Sequence, residues 1–314
     1  ARYEEQSIVD QSVKELGIKH TSVKLNNHNF LKNLRSLINH HDAPVYTISY
    51  YLHWQLMQSI ADKGYKVTIS GTAADELFTG YYDHHNLYLY EVSKNKILYK
   101  KSLENWNKYQ EKIVRNPYLR DPNLYLKNPK FRDHNFMYND LFASCLKEGW
   151  KESFVEIDFT ESLLRNRMLN EMFAETVPVI LHEDDLNAMY FSMENRSPFL
   201  DSSLFDLAYS IPSQFLIKDG RAKAVLRDAM QGIVPDIILK ERRKVGFNAP
   251  ILDLLDLNDP DVKGYLLDDS KIYNLVKKEN IEKILKQEHF TNSASKFLFN
   301  FLNAKIFLEN QISY

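Results

Sequence analysis

Apolar residues recur at helical spacing from the start of the chain. Ile8, Val9, Val13 and Leu16 fall on one side of a predicted helix that Gly17 ends. Val23 and Leu25 then alternate with polar neighbours, as in a short strand. A second helix is predicted over about 50–63, with Leu52, Leu56, Met57, Ile60 and Ala61 on its apolar face and Gly64 as its stop. KVTIS, residues 66–70, reads as another strand. Strand, helix, strand, helix in short succession predicts an α/β fold, a parallel sheet flanked by helices with ligands at the carboxyl ends of the strands. From about 84 to 180 the strand signal fades into helical stretches rich in Tyr, Trp, Phe and Lys, so a large part of the fold is expected to be helical. In HEDDLNAMYFSMENRSPFLD, Met189 and Met193 share a predicted helical face that Asp184 and Asp185 precede, and Pro198 marks the exit. GRAKAVLRDAMQGIVP predicts an amphipathic helix with Ala222, Val225, Leu226, Ala229 and Met230 on its apolar side.

Composition narrows the function classes. The 314 residues are 44% hydrophobic, enough for one large domain or two smaller ones. Forty basic against forty-two acidic residues leave a net charge of -2, so no global field points to nucleic acid or to an anionic membrane. Any anionic ligand must be met locally. The aromatic and basic residues of 84–180 are interleaved with many acids and follow no repeat, which favours packing over base stacking. Cys145 is the single cysteine, which excludes an internal disulfide framework and leads us to expect a cytoplasmic protein. No apolar run approaches the roughly 18–20 residues of a spanning helix, and no basic-then-apolar signal opens the chain. The pairs His40–His41 and His84–His85 are adjacent rather than at i, i+4, which argues against a helical zinc site. The chain opens without Met, directly in a helical pattern, and is expected to continue upstream of Ala1.

The candidate chemistry centres on VTISGTAADELFTG, residues 67–80. Ser70 and Gly71 end a strand, Gly71 permits a tight turn, and Thr72, Ala73 and Ala74 leave room for a ligand beside the main chain. Asp75 and Glu76 follow where a helix begins. They read either as an N-cap and a first-turn acid, each contributing about 1 kcal/mol or less, or as oxygen ligands for a Mg²⁺ beside phosphates. Glu194 and Arg196 read as a buried ion pair fixing the turn before Pro198. Lys223 and Arg227 lie one turn apart on one face and repel by a few tenths of a kcal/mol, so either an anion lies near them or both face water. Arg242, Arg243 and Lys244 form a basic loop before Gly246 that either closes over phosphates or faces solvent.

Together these stretches resemble the synthetase domain of the asparagine synthetase family, an ATP pyrophosphatase-type α/β fold. The family's LSGEGADELFGGY is matched by ISGTAADELFTGY, and its EDRNSMAHSVEVRVPFLD by DDLNAMYFSMENRSPFLD. Its Lys-x-x-Leu-Arg helix corresponds to Lys223, Leu226 and Arg227, and its R-x-K-x-G-F-x-x-P loop to Arg242, Lys244, Gly246, Phe247 and Pro250. The resemblance covers nearly the whole chain and is weakest over 84–180. It implies a nucleotide-binding α/β part over 1–83, a variable helical insertion over 84–180 and a helical part completing the site over 181–314. It also implies activation of an aspartate-like carboxylate by ATP, then attack by ammonia to give the amide, AMP and pyrophosphate. In that casting Ser70, Gly71, Arg227 and Lys244 bind nucleotide, Asp75 holds Mg²⁺, Glu76 assists, and Lys223 neutralises charge growing on the phosphates. The partners implied are small molecules and a glutaminase domain or subunit as ammonia source, with a homodimer allowed.

Three departures qualify the resemblance. Thr72 stands where the family has a Glu directly after Ser-Gly, and a hydroxyl cannot keep a proton as a carboxylate can. The family's Ser-Gly-Gly-x-Asp-Ser pyrophosphate loop is expected upstream of Ala1. The glutaminase domain, with a Cys nucleophile as its first residue, has no counterpart here, because residue 1 is Ala and Cys145 is mid-chain. Two alternatives stay open: a sugar-modifying or β-lactam-forming relative using another carboxylate or amine, and a non-catalytic domain that keeps the fold.

Overall fold

The computed structural model describes residues 5–135, 142–149, 155–247, 249–287 and 291–310. Two strands form a parallel sheet, β1 (Val67–Ile69) and β2 (Glu194–Arg196), with Val67 opposite Glu194 and Ile69 opposite Arg196. The ladder extends beyond both ends, since Glu194 N–H donates to Lys66 O at 2.9 Å and Ser70 N–H to Arg196 O at 2.8 Å. Helices make up most of the remaining regular structure, so the architecture is α/β with a small parallel sheet and a large helical portion, as the sequence predicts. The segment around Val23 and Leu25 is not a strand, and both side chains are exposed. Alternation over so few residues has no neighbouring strand to pair with.

The first predicted helix forms as Gln6–Leu16, with Gly17 as its left-handed C-cap at φ 62°. The second forms as Ile48–Ala61. It is apolar nearly all round, and Ile48, Tyr51, Trp54 and Met57 are the residues it buries completely. Helix Phe30–His41 buries Phe30, Leu34, Leu37 and Ile38, an i, i+4, i+7, i+8 stripe, against Leu298, Leu302 and Ile306 of helix Asn292–Asn310. Residues from both ends of the chain therefore share one core. A second core gathers Ala73, Leu77 and Phe78 with Leu87, Leu164, Met168 and Leu216. Met57, Ala188 and Met193 form a smaller cluster where helix Ile48–Ala61 meets helix Thr176–Met189.

Several local expectations are revised. Helix Thr176–Met189 contains Asp184 and Asp185 instead of following them, and it ends at Met189. Ser192 turns the backbone at φ 54°, so Met193 is buried from outside the helix while Met189 is exposed. Glu194 and Arg196 do pair, at 2.8 Å, but on the surface, with side chains 59% and 61% exposed. Such a pair contributes little to stability.

The buried charges lie elsewhere. Arg167, on helix Leu163–Phe173, sits 3.0 Å from Glu171, 2.8 Å from Glu175, 3.0 Å from Glu156 and 3.6 Å from Asp83. His84 meets Glu171 at 2.8 Å, and His134 meets Asp83 at 3.3 Å. Burial opposes charge on His84, but Glu171 and Asp83 outweigh it and raise its pKa. Asp83, His84 and Glu171 bring possible ligand atoms within 4.8 Å of one another, and the Arg167 guanidinium pairs with both acids. This is an ion-pair network that ties helix Tyr82–Val92 to Leu163–Phe173. Arg167→Ala should leave its acids buried without their shared cation and cost about 3–5 kcal/mol, read as a lowered midpoint in denaturant unfolding.

Candidate active site

Parallel pairing brings the carboxyl ends of β1 and β2 to one edge, and the hydroxyls that follow the strands meet there. Ser70 Oγ lies 3.0 Å from Ser197 Oγ and 3.0 Å from Thr72 Oγ1. The chain then turns into the short helix Ala74–Phe78. The residue that makes the turn is Ala73, buried at φ 75°, and not Gly71, whose φ is ordinary and whose missing Cβ faces open space. A left-handed alanine is strained, and strain of this kind gathers at functional turns. Asp75 is not the N-cap. It is the second residue of the helix, and its side chain turns away from the backbone to meet two lysines.

Asp75 Oδ1 lies 2.7 Å from Lys223 Nζ, and Asp75 Oδ2 lies 2.7 Å from Lys244 Nζ. Burial pushes the Asp75 pKa up, but the two ammonium groups outweigh it and hold the carboxyl below its usual range. Each lysine is positioned by its backbone. Lys223 adopts φ 55° as the residue before helix Ala224–Ala229, and its N–H donates to Phe78 O at 3.1 Å. Lys244 N–H donates to the Tyr82 hydroxyl at 3.0 Å, and its ammonium lies 5.5 Å from the Tyr81 ring centre. Gly80 completes the fit, because a Cβ there would lie 1.6 Å from Asp75 Oδ1.

The two adjacent acids part company. Glu76 is buried and accepts a hydrogen bond from the Tyr81 hydroxyl, against Leu77 and Met168 rather than beside the two lysines. Burial raises its pKa. Arg227 is also directed elsewhere. Its guanidinium donates to the carbonyls of Ala222 at 3.0 Å, Ile238 at 2.6 Å and Leu239 at 3.0 Å, tethering helix Asp236–Lys240 and the basic segment after it. Of the basic cluster, Arg242 stacks 3.9 Å from the Tyr109 ring centre and Arg243 pairs with Glu241 at 2.8 Å, so Lys244 alone of the three meets Asp75.

The structure adds groups that sequence reasoning missed. Asp184, 7% exposed, neighbours the Thr72 hydroxyl, which favours its charged form, and its Oδ1 is 3.3 Å from His53 Nδ1. Burial, then the neighbouring Glu183 charge, pushes the Asp184 pKa up to about 7, and burial pushes His53 down to about 4. Glu183 accepts from Tyr46 N–H at 3.2 Å and lies 3.4 Å from His41 Nδ1. The available signal was a pair of acids, Glu183 and Asp184, inside a helix that is otherwise apolar on its N-terminal side; placing Asp184 and Asp185 ahead of the helix hid it.

Comparison with known proteins gives one consistent family. The family model described as asparagine synthase matches residues 1–309. Glutamine-hydrolysing asparagine synthetase 1 of Bacillus subtilis (strain 168) is 26% identical over 273 residues, covering 79% of this chain and 41% of that protein. A putative glutamine-hydrolysing asparagine synthetase of Mycobacterium bovis is 23% identical over 298 residues, covering 87% of this chain and 45% of that protein. The chain spans less than half the length of these curated relatives. Gly80→Ala should force the Asp75 carboxylate out from between its lysines, costing about 1–3 kcal/mol of stability as an overpacked contact does, measured as a shift in the unfolding midpoint.

Proposed function

The chain belongs to the asparagine synthase family, and from that premise we propose that it forms an amide by activating a carboxylate with ATP. The carboxylate, aspartate or a relative of it, attacks the α-phosphorus of ATP, pyrophosphate leaves, and an amine nitrogen then displaces AMP from the acyl-adenylate. The amine is ammonia, drawn from glutamine by a glutaminase domain or subunit.

The observation that carries this reading is the Asp75 carboxylate held between Lys223 and Lys244 at 2.7 Å each. The trio has a formal excess of one positive charge beside the carboxyl ends of two parallel strands, where α/β folds bind ligands. Its donor set suits a metal–phosphate ligand. Mg²⁺ usually takes one or two protein carboxylates and keeps waters and phosphate oxygens for its other positions, so Asp75 alone is enough protein for it. When bound there, the ion would neutralise charge on the departing pyrophosphate. Lys223 and Lys244 would turn from the carboxylate to the phosphates, supplying fixed positive charge where negative charge develops. Ser70 and the exposed backbone of Gly71 would line the nucleotide beside the strand end. Glu76 would act indirectly, holding Tyr81 and so the ring beneath Lys244. Arg227 would act by anchoring the segment that carries Lys244.

A different carboxylate or amine is the second reading, favoured by Thr72 in place of the family's Glu. Both readings need the adenylation step. Aspartate-dependent exchange of labelled pyrophosphate into ATP by the full-length protein should fall about 10²–10³-fold in Lys223→Ala, the loss typical of removing one group that stabilises transition-state charge. Asp75→Asn should lose exchange and also raise the Mg²⁺ concentration required. Exchange unchanged in both variants, or no exchange with any amino-acid carboxylate, would sink the proposal.

A further inference from the structure

The family Glu replaced by Thr72 leaves the amide-forming step without an evident place for its proton, and the neighbourhood of Thr72 supplies one. Resting on the adenylation reading above, we propose that the Asp184 carboxylate, reached through the Thr72 hydroxyl, takes the proton released when the amine attacks, and that His53 holds Asp184 in position for it.

Three observations carry the assignment. The first is proximity: Ser197 Oγ, Ser70 Oγ and Thr72 Oγ1 are spaced 3.0 Å and 3.0 Å apart, and the Thr72 hydroxyl is near enough to Asp184 to favour its charged form. The row runs from the ends of both strands, where a ligand would lie, to a buried acid. The second is that Asp184 has no lysine or arginine at ion-pair distance among the described residues; its charged-group partner is His53, 3.3 Å away. A buried carboxylate without a permanent cation is costly, and the fold keeps Arg167 for four other acids while giving this one only an imidazole. The third is the setting of His53. Its Nδ1 also lies 3.3 Å from Asn187 Nδ2, which donates to Tyr50 O at 3.0 Å, so the ring is held between helices Ile48–Ala61 and Thr176–Met189.

The step balances. The nitrogen lone pair forms the C–N bond at the acyl carbon, the C–O bond to AMP breaks, and its electron pair leaves with AMP. One N–H proton passes to the Thr72 oxygen as the proton of Thr72 passes to Asp184. A threonine can relay a proton but not retain it, whereas a carboxyl poised near neutrality can do both. Burial and the Glu183 charge set Asp184 to about 7. The other groups around it are His53, the Tyr50 phenol, which burial and then both acids push up, and His41 and the Tyr46 backbone, which engage Glu183. On the adjoining elements, Arg167 and Glu171 are paired together and Glu194 and Arg196 are paired at the surface; none of them acts appreciably on Asp184.

Because Asp184 must be ionised to accept, amide formation should rise with pH through about 7. In the full-length protein supplied with ammonium, Asp184→Asn should keep pyrophosphate exchange while the rate of amide formation falls at least about 100-fold and loses that limb of its pH profile. Thr72→Val should reproduce the defect. Thr72→Glu in the Asp184→Asn background should restore amide formation by returning a carboxylate to the site. Intact exchange with undiminished amide formation in Asp184→Asn overturns the relay alone, and so does an equal loss of both activities or an absence of rescue. No carboxylate-dependent exchange in the unaltered protein overturns the adenylation reading and the relay with it.

Discussion

The constraint on which the site depends is one carboxylate held by two ammonium groups. Asp75 stands near the start of a five-residue helix, while Lys223 and Lys244 come from segments far along the chain. Desolvating three charges is expensive, and the attraction between them offsets that cost only if the geometry is good. The fold therefore commits several local features to it: the left-handed backbone at Ala73 and Lys223, the absence of a side chain at Gly80, and the tether from Arg227 to the carbonyls before the basic segment. A cluster with positive excess that opens at the end of a parallel sheet is suited to exchange its internal partners for a phosphate and its metal.

The molecule handles charge in three ways. Around Arg167, acids are buried together with a guanidinium that they share, and the network joins helices. Around Asp75 the charges are partly exposed and unequal in number, which leaves capacity for an anion. Around Asp184 a carboxyl is buried with a neutral imidazole and a hydroxyl, so burial raises its pKa into the neutral range. The surface pair Glu194–Arg196 belongs to none of these, despite lying in the motif that leads out of β2.

The motif of residues 67–80 was legible because its constraints are local: small residues beside a strand end, then acids in a first turn. Gly17 as a helix stop was legible for the same reason. Adjacent residues on a helix, however, point about 100° apart, so Asp75 and Glu76 could not both face the two lysines. Glu76 went to Tyr81. Lys223 and Arg227 looked like neighbours on a helical face, and Arg227 N–H does donate to Lys223 O at 2.9 Å, but Lys223 precedes the helix in a left-handed conformation and its side chain goes to Asp75 while that of Arg227 goes to carbonyls.

By itself the sequence determined the α/β class, the helical bulk and the family, because propensity, periodicity and motif spacing act over a few residues at a time. Only the tertiary structure decided which charges meet. It set Lys244 rather than Arg243 against Asp75, turned Arg227 to carbonyls, and brought His53, Thr72 and Asp184 together from three separate elements. Pairings of that kind follow from how helices pack and from which polar groups must be satisfied once water is excluded, and neither is written at any single position of the chain.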